Sequence, residues 1–170
     1  MFKLTMILIC SLFLLNTSQA DDEQERRRLA GHPAITLQTA IRLTQDPAWE
    51  VRQVLARNRK TPVKILQKLA QDPHNQVRIG VATNLNTSEK IFEMLAKDQE
   101  LEVRSVVSRF EYVPVSALAI LAQDTHADIR MEVARNLNTT AEILRQLMND
   151  SDAEIRQLAQ HALETRQQGN

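Results

Sequence analysis

The sequence is poor in the residues that mark most chemical sites. Among 170 residues there are one cysteine, three glycines and five prolines, and aromatics make up 4%. So few glycines and aromatics fit badly with an all-β chain. The glycines, Gly31, Gly80 and Gly169, are too scattered to form a phosphate-cradling loop, and no serine sits in the strand-to-helix context of a nucleophile. Neither charge is in surplus, with 21 Lys and Arg against 21 Asp and Glu. That balance argues against a dedicated binder of phosphate backbones, whose affinity comes from excess Lys and Arg. No catalytic chemistry stands out, and the expectation is a one-domain, non-enzymatic chain with no cofactor.

The one long apolar run lies at the start. Lys3 is followed by mostly apolar residues 4–15, then by small side chains at Ser18 and Ala20 before Asp21 and Asp22. This is the pattern of a cleavable secretory signal, with the cut expected after Ala20. The run is short for a bilayer span, and Ile9 precedes Cys10 where a lipid-attachment site carries a small residue. Removing residues 1–20 takes away Lys3 and Cys10 and leaves 20 basic against 21 acidic residues. The mature chain then has no cysteine, which excludes disulfides, thiolate metal sites and cysteine nucleophiles. The expected location is periplasmic or secreted, with no stable membrane span after cleavage.

What the sequence does have is an internal period. Leu43, Leu69, Leu95, Leu121 and Leu147 are spaced by 26 residues, as are Asp46, Asp72, Asp98, Asp124 and Asp150. Val51-Arg52, Val77-Arg78, Val103-Arg104, Ile129-Arg130 and Ile155-Arg156 keep the same step. Within a copy, Ile65, Leu66, Leu69 and Ala70 recur at helical spacing, and Val77, Val81 and Ala82 mark a second helix. Thr61-Pro62 and Asp72-Pro73 read as caps followed by proline at the first helical position. Thr139 and Glu142 have the spacing of a capping box, and Asn84 suits a helix end because asparagine tolerates the left-handed conformation.

The predicted architecture is therefore all-α: five helical hairpins of 26 residues, in units 35–60, 61–86, 87–112, 113–138 and 139–164. A pair of short helices cannot bury its apolar face alone, so neighbours must stack into a solenoid. Residues 21–34 form a charged lead-in, and 165–170 a polar tail expected to fray.

The text Leu69-Ala70-Gln71-Asp72-Pro73, then Val77-Arg78, Val81-Ala82, Asn84 and Thr87, resembles the leucine-rich repeat variant family, and its Asp and Arg resemble those of HEAT-like repeats. The resemblance covers about 43–164. It implies a right-handed α-solenoid whose first helices are partly 3₁₀, and an Asp–Arg ladder joining neighbouring units. Some members carry a cysteine-bound iron–sulfur module, a feature that a mature chain without cysteine cannot take over. The third unit departs from the pattern, reading Ser108-Arg109-Phe110-Glu111-Tyr112-Val113 where others have Ala-x-Asn-x-x-Thr.

The column Arg52, Arg78, Arg104, Arg130 and Arg156 could bind an anion, but each arginine follows an aspartate by six residues, which favours a structural ladder. The aspartates are expected to cap their own helices, where negative charge is favoured. His74 and His126 share a column two units apart, roughly 20 Å at the spacing of packed helices, too far for one metal ion. They read as surface histidines, and no metal is expected.

Function is sought where copies differ. Trp49 stands in a column otherwise holding Asn75, Leu101, Ala127 and Ala153, while Phe110 and Tyr112 replace asparagines or a lysine. Arg57, Arg109 and Arg135 share a further column. Aromatics and arginines dominate binding hot spots, so Trp49, Arg109, Phe110 and Tyr112 are the candidate binding residues; the alternative is that Phe110 and Tyr112 fill space in an altered loop. The expectation is an exported module for protein–protein interaction. A nucleic-acid-binding HEAT-like protein and an accessory subunit of an envelope enzyme complex are the alternatives. Partner identity and oligomeric state are not legible.

Overall fold

The computed structural model describes residues 22–168. The signal segment, with Lys3, Cys10 and the cut after Ala20, lies outside the described residues, as do the final two. Among the described residues every element is an α-helix. A first helix, α1, spans 22–31. Five hairpins follow: α2 (Leu37–Leu43) with α3 (Trp49–Arg57), α4 (Val63–Leu69) with α5 (Asn75–Ala82), α6 (Glu89–Leu95) with α7 (Leu101–Arg109), α8 (Val115–Leu121) with α9 (Ala127–Arg135), and α10 (Ala141–Leu147) with α11 (Ala153–Gln168). The hairpins stack in one direction, each second helix against the next. The fold is an α-solenoid of helical repeats.

Its core is the set of repeated apolar columns. Leu43, Leu69, Leu95, Leu121 and Leu147 are buried, and so are Val51, Val77, Val103, Ile129 and Ile155 on the second helices. Each fully buried side chain of this size contributes roughly 1.5–3 kcal/mol, and together they form one continuous core. The leading helices are α over seven residues; hydrogen bonds between residues three apart appear at both of their ends, such as Ile65 N–H to Pro62 O and Gln71 N–H to Lys68 O. At Gly80 helices α3 and α5 approach closely. A Cβ at Gly80 would lie 3.0 Å from Ala56 Cβ and 3.3 Å from Gln53 O, so this seam has no room for the Val, Glu or Leu that fill the column elsewhere.

The caps differ from expectation by one or two positions, for a common reason: the polar side chains serve the turns and the neighbouring unit rather than their own helix. The N-cap of α4 is Pro62, not Thr61; the buried Thr61 hydroxyl donates back to Leu55 O at 2.6 Å. The N-cap of α5 is His74, and Asp72 lies two residues before it, its Oδ1 accepting the His74 amide. Thr140, not Thr139, caps α10, while Thr139 donates to Val133 O. Asn84 takes no left-handed conformation, there being no positive-φ residue in the described chain; its side chain instead reaches the unit before.

Both ends also correct the reading. The charged lead-in holds α1, which stands one period before α3, with Arg26, Leu29 and Ala30 in the columns of Arg52, Leu55 and Ala56. It is the second helix of a further half-unit and covers the first hairpin. At the other end α11 runs on through the supposed fraying tail to Gln168, and Arg166 donates to Asn136 O at 2.9 Å and to Thr139 O.

Candidate interaction surface and the ladders behind it

Two rows of polar side chains run the length of the solenoid, one along each end of the second helices. The first is the Asp–Arg ladder. Arg78 Nε meets Asp98 Oδ2 at 2.6 Å and its Nη2 meets Oδ1 at 2.8 Å, while Nη1 holds the carbonyl of Asp72, six residues back. The carboxylate partner is therefore the aspartate twenty residues ahead, in the next unit; the one six residues before supplies only its backbone oxygen. Arg52, Arg104 and Arg130 repeat this pattern with Asp72, Asp124 and Asp150, and Arg26 extends it to Asp46. Both side chains of the Arg78–Asp98 rung are only 7% exposed. The hydrogen bond that it donates to Asp98 raises the Arg78 guanidinium above its ordinary pKa, against the effect of burial. At the far end the hydrogen bond from Arg130 holds Asp150 below the usual carboxylate range, again against burial. Arg156 ends the row: its Nη1 binds Asp150 O and Ser151 O, and among the described residues no carboxylate meets its remaining nitrogens.

The second row is an asparagine ladder that the sequence reading missed. The Asn84 amide donates to Ala56 O and Asn58 O in the unit before, while its Oδ1 accepts the Asn86 amide. Asn58 does the same to Ala30 O and His32 O, and Asn136 to Ser108 O and Phe110 O. All three are buried, and each satisfies carbonyls left open at a helix end. Their regular spacing was visible; the clue passed over was that an amide in a helix-end column can bond across units instead of shaping its own turn.

The row breaks once inside the array, the last unit having Ala162 in this column and Arg166 on the carbonyls. At the seam between the second and third units, Phe110 stands in the asparagine column and Tyr112 in the column of Asn86 and Asn138. Two amide links are thus replaced by rings. Phe110 is half-buried and stacks on the buried Phe92 at 5.8 Å, and Tyr112 meets Phe110 edge-on at 5.9 Å. Phe110 therefore fills the seam, while Tyr112 remains 62% exposed. Arg109, Glu111, Tyr112, Arg135, Leu137 and the two adjacent asparagines line a shallow groove of about 390 Å³. Arg109 Nε donates to Ser105 O, and Arg135 lies 3.5 Å from Glu132.

The structure does not bring the four candidate residues onto one surface. Arg109, Phe110 and Tyr112 sit together where the second helices end. Trp49 begins α3, at the ladder end: the length of a nine-residue helix, roughly 12 Å, and two units separate it from Arg109. Trp49 is half-buried and stacks flat on the His74 ring, 4.1 Å between centroids. His74 is accordingly half-buried rather than on the open surface, with Nδ1 accepting the Gln76 amide. His126, its column mate, is exposed and lies 3.4 Å from Asp124.

Two residues outside the candidate set share the Tyr112 edge. Leu85 is 49% exposed and Leu137 is 87% exposed. Both occupy the column of Arg59 and Glu111, in a polar turn where a leucine has no core to reach. That mismatch was the available signal, hidden while only aromatics were weighed.

Comparison with protein families finds no match, and neither does comparison with curated proteins. Among solved structures the chain is similar to one described as a leucine-rich repeat variant with a novel repetitive protein structural motif. The TM-score is 0.61 at 24% identity, over 77% of this chain and 52% of that one. The fold is thus that of a leucine-rich repeat variant, a helical repeat solenoid. The chain spans about half the length of that relative, and the likeness speaks for architecture.

Proposed function

We propose that this protein is an exported, non-enzymatic interaction module that holds a protein partner against the edge formed by Arg109, Phe110 and Tyr112. The observation that carries the reading is the seam at which a ladder of buried amides gives way to rings, one of them 62% exposed beside an arginine. Phe110 is the packed base and Tyr112 the anchor on it. A tyrosine so placed offers a large amphipathic face at small entropic cost, and a neighbouring guanidinium orients the partner. The groove's titratable side chains are Arg109, Glu111, Tyr112 and Arg135, a set suited to recognising charge and apolar surface. Trp49, stacked on His74, is a second and separate contact candidate. Export rests on the signal pattern of residues 1–20, and mass measurement of the protein made in its host tests it: the expected N-terminus is Asp21.

A photoreactive residue placed at position 112 tests the surface. The expected result is a discrete crosslinked protein adduct in the envelope fraction, lost when Arg109→Glu is added. Absence of an adduct from position 112 would count against the proposal. A second reading, nucleic-acid binding, is favoured by the exposed cations Arg57, Arg59, Lys60, Arg109 and Arg135 along this edge and opposed by a net charge of zero. Salt-dependent binding of DNA by the protein would support it.

A further inference from the structure

A net charge of zero conceals a stretch of one sign. Residues 51–71 hold six cations, Arg52, Arg57, Arg59, Lys60, Lys64 and Lys68, and no acid. Arg52 is tied into the ladder, and the other five are exposed. Helix α4 carries Lys64 and Lys68, α2 carries Arg42, and neither helix holds an acidic residue. Lys60 lies in the turn that enters α4. Among the described residues no ion pair takes up Arg42, Lys60, Lys64 or Lys68.

The same two helices hold three exposed aliphatic side chains. Leu37 and Ile41 on α2 are 57 and 52% exposed, and Val63 on α4 is 45% exposed. Leu37 and Ile41, four residues apart, share one helix face, and Val63 is the counterpart of Leu37 in the next unit. One neighbour relation across leading helices places the cations. The Ser116 hydroxyl donates to Glu89 Oε1 at 2.7 Å, and these two residues stand in the columns of Lys64 and Leu37. By the same step of 27 residues Lys64 stands beside Leu37, and Lys68 beside Ile41. Both lysines line the groove between α2 and α4. Helix α6 sets Lys90 beside Val63 but adds Glu89 and Glu93, so the face of one sign is that of α2 and α4.

We propose that this face docks on the surface of an anionic lipid bilayer, with Leu37, Ile41 and Val63 entering the interface and Arg42, Lys60, Lys64 and Lys68 on headgroup phosphates. Aliphatics and cations alternate here, so there is no contiguous apolar patch. A protein pocket that buried one of the aliphatics would have to desolvate the lysine beside it. A bilayer interface demands no such fit: headgroups move to meet each cation, lysine stems lie along apolar surface, and each aliphatic enters by itself. Nucleic acid would meet the cations but leave the aliphatics against a charged backbone, and the same face of a second copy would bring the same positive charge. Among the described residues no helix is long and apolar enough to cross a membrane, so the contact is one of surface residues. It does not depend on the protein-binding reading of the Tyr112 edge.

The test is co-sedimentation of the protein, in the form in which its host makes it, with vesicles of phosphatidylcholine and with vesicles in which about one third of the lipid is phosphatidylglycerol. The expected result is binding to the anionic vesicles at least about ten-fold stronger than to the neutral ones, and weakened by salt. Lys64→Glu with Lys68→Glu is expected to lower it at least about ten-fold, and Leu37→Gln with Ile41→Gln at least about three-fold. Arg28→Glu with Arg145→Glu makes the same change of charge at exposed residues outside this face and should leave binding within about two-fold, since distant charges are screened. All these side chains are exposed, and unchanged circular dichroism confirms the fold of each variant. Equal binding to neutral vesicles, an equal loss in the charge-matched control, or no loss on changing Leu37 and Ile41 each overturns the proposal. So does binding of a single-stranded oligonucleotide or of polyglutamate without binding of the vesicles, or a lipid-free dimer that the Leu37 and Ile41 changes dissolve.

Discussion

The two ends of the second helices use their polar residues in opposite ways. At the end where these helices begin, each unit but the last spends its ladder charges internally: an arginine forks onto the next unit's aspartate, and that aspartate orders the turn ahead of it. At the end where they finish, buried asparagines hold the backbone while charges and leucines around them face water. One edge repeats its ion pair from unit to unit as far as Asp150; the other varies from unit to unit and leaves more of its groups open. In this molecule repetition marks structure, and departure from it marks the surface available to others.

That contrast can be broken most forcefully with acid. Asp150 and Asp124 have pKa values below the ordinary carboxylate range: Asp150 chiefly through the hydrogen bond from Arg130, Asp124 because the hydrogen bonds from Arg104 and the His126 amide outweigh the opposing effect of burial. A depressed folded-state value means that the stabilisation is complete above the unfolded value, near about 3.9, and is lost as pH falls through the folded one. Thermal melts should therefore be flat from neutrality to about pH 4 and collapse below it, and Arg130→Gln should shallow that fall.

A single inner rung comes next. Arg78→Ala strands the buried Asp98 carboxylate and is expected to cost about 3–5 kcal/mol by urea unfolding. Asn84→Ala leaves two carbonyls without their donor, and about 1–3 kcal/mol is expected. Arg156→Ala removes a ladder arginine that has no carboxylate partner among the described residues, so its cost should be about 1 kcal/mol; a loss as large as that at Arg78 would show that the ladder does not derive its strength from the ion pair. Smallest in stability is Tyr112→Ala, expected within about 0.5 kcal/mol of the parent but with capture of the partner in a pull-down lost. A large stability loss there would move Tyr112 to the structural side of the contrast.

The fold was largely legible because stacking demands the same side chains in every copy, so the columns of Leu43 and Val51 declared themselves without any neighbour being known. The caps were less so: an oxygen at Thr61 or Asp72 can serve several backbone groups, and sequence spacing does not say which one it meets. The ends were hidden because a terminal unit lacks one neighbour and drops the residues that would touch it. Arg26 lies in register, yet the aspartate and leucine columns do not extend to its half-unit. Arg166 does the work of an asparagine from a position outside the period. Of the candidate site, the departures at Phe110 and Tyr112 were legible, but their division into a packed ring and an exposed one depends on Phe92, which lies in another column. Trp49 stood out equally, and only the structure pairs it with His74 and sets it apart from the others.

The forward reach of each arginine gives the array a polarity. Arg52, Arg78, Arg104 and Arg130 each hold the aspartate of the following unit, while the aspartate of their own unit is held from behind by Arg26, Arg52, Arg78 and Arg104. Each inner unit thus gives with one group and receives with the other, and two units joined in the reverse order would have no rung to form. The ladder is in this sense a key for the order of assembly.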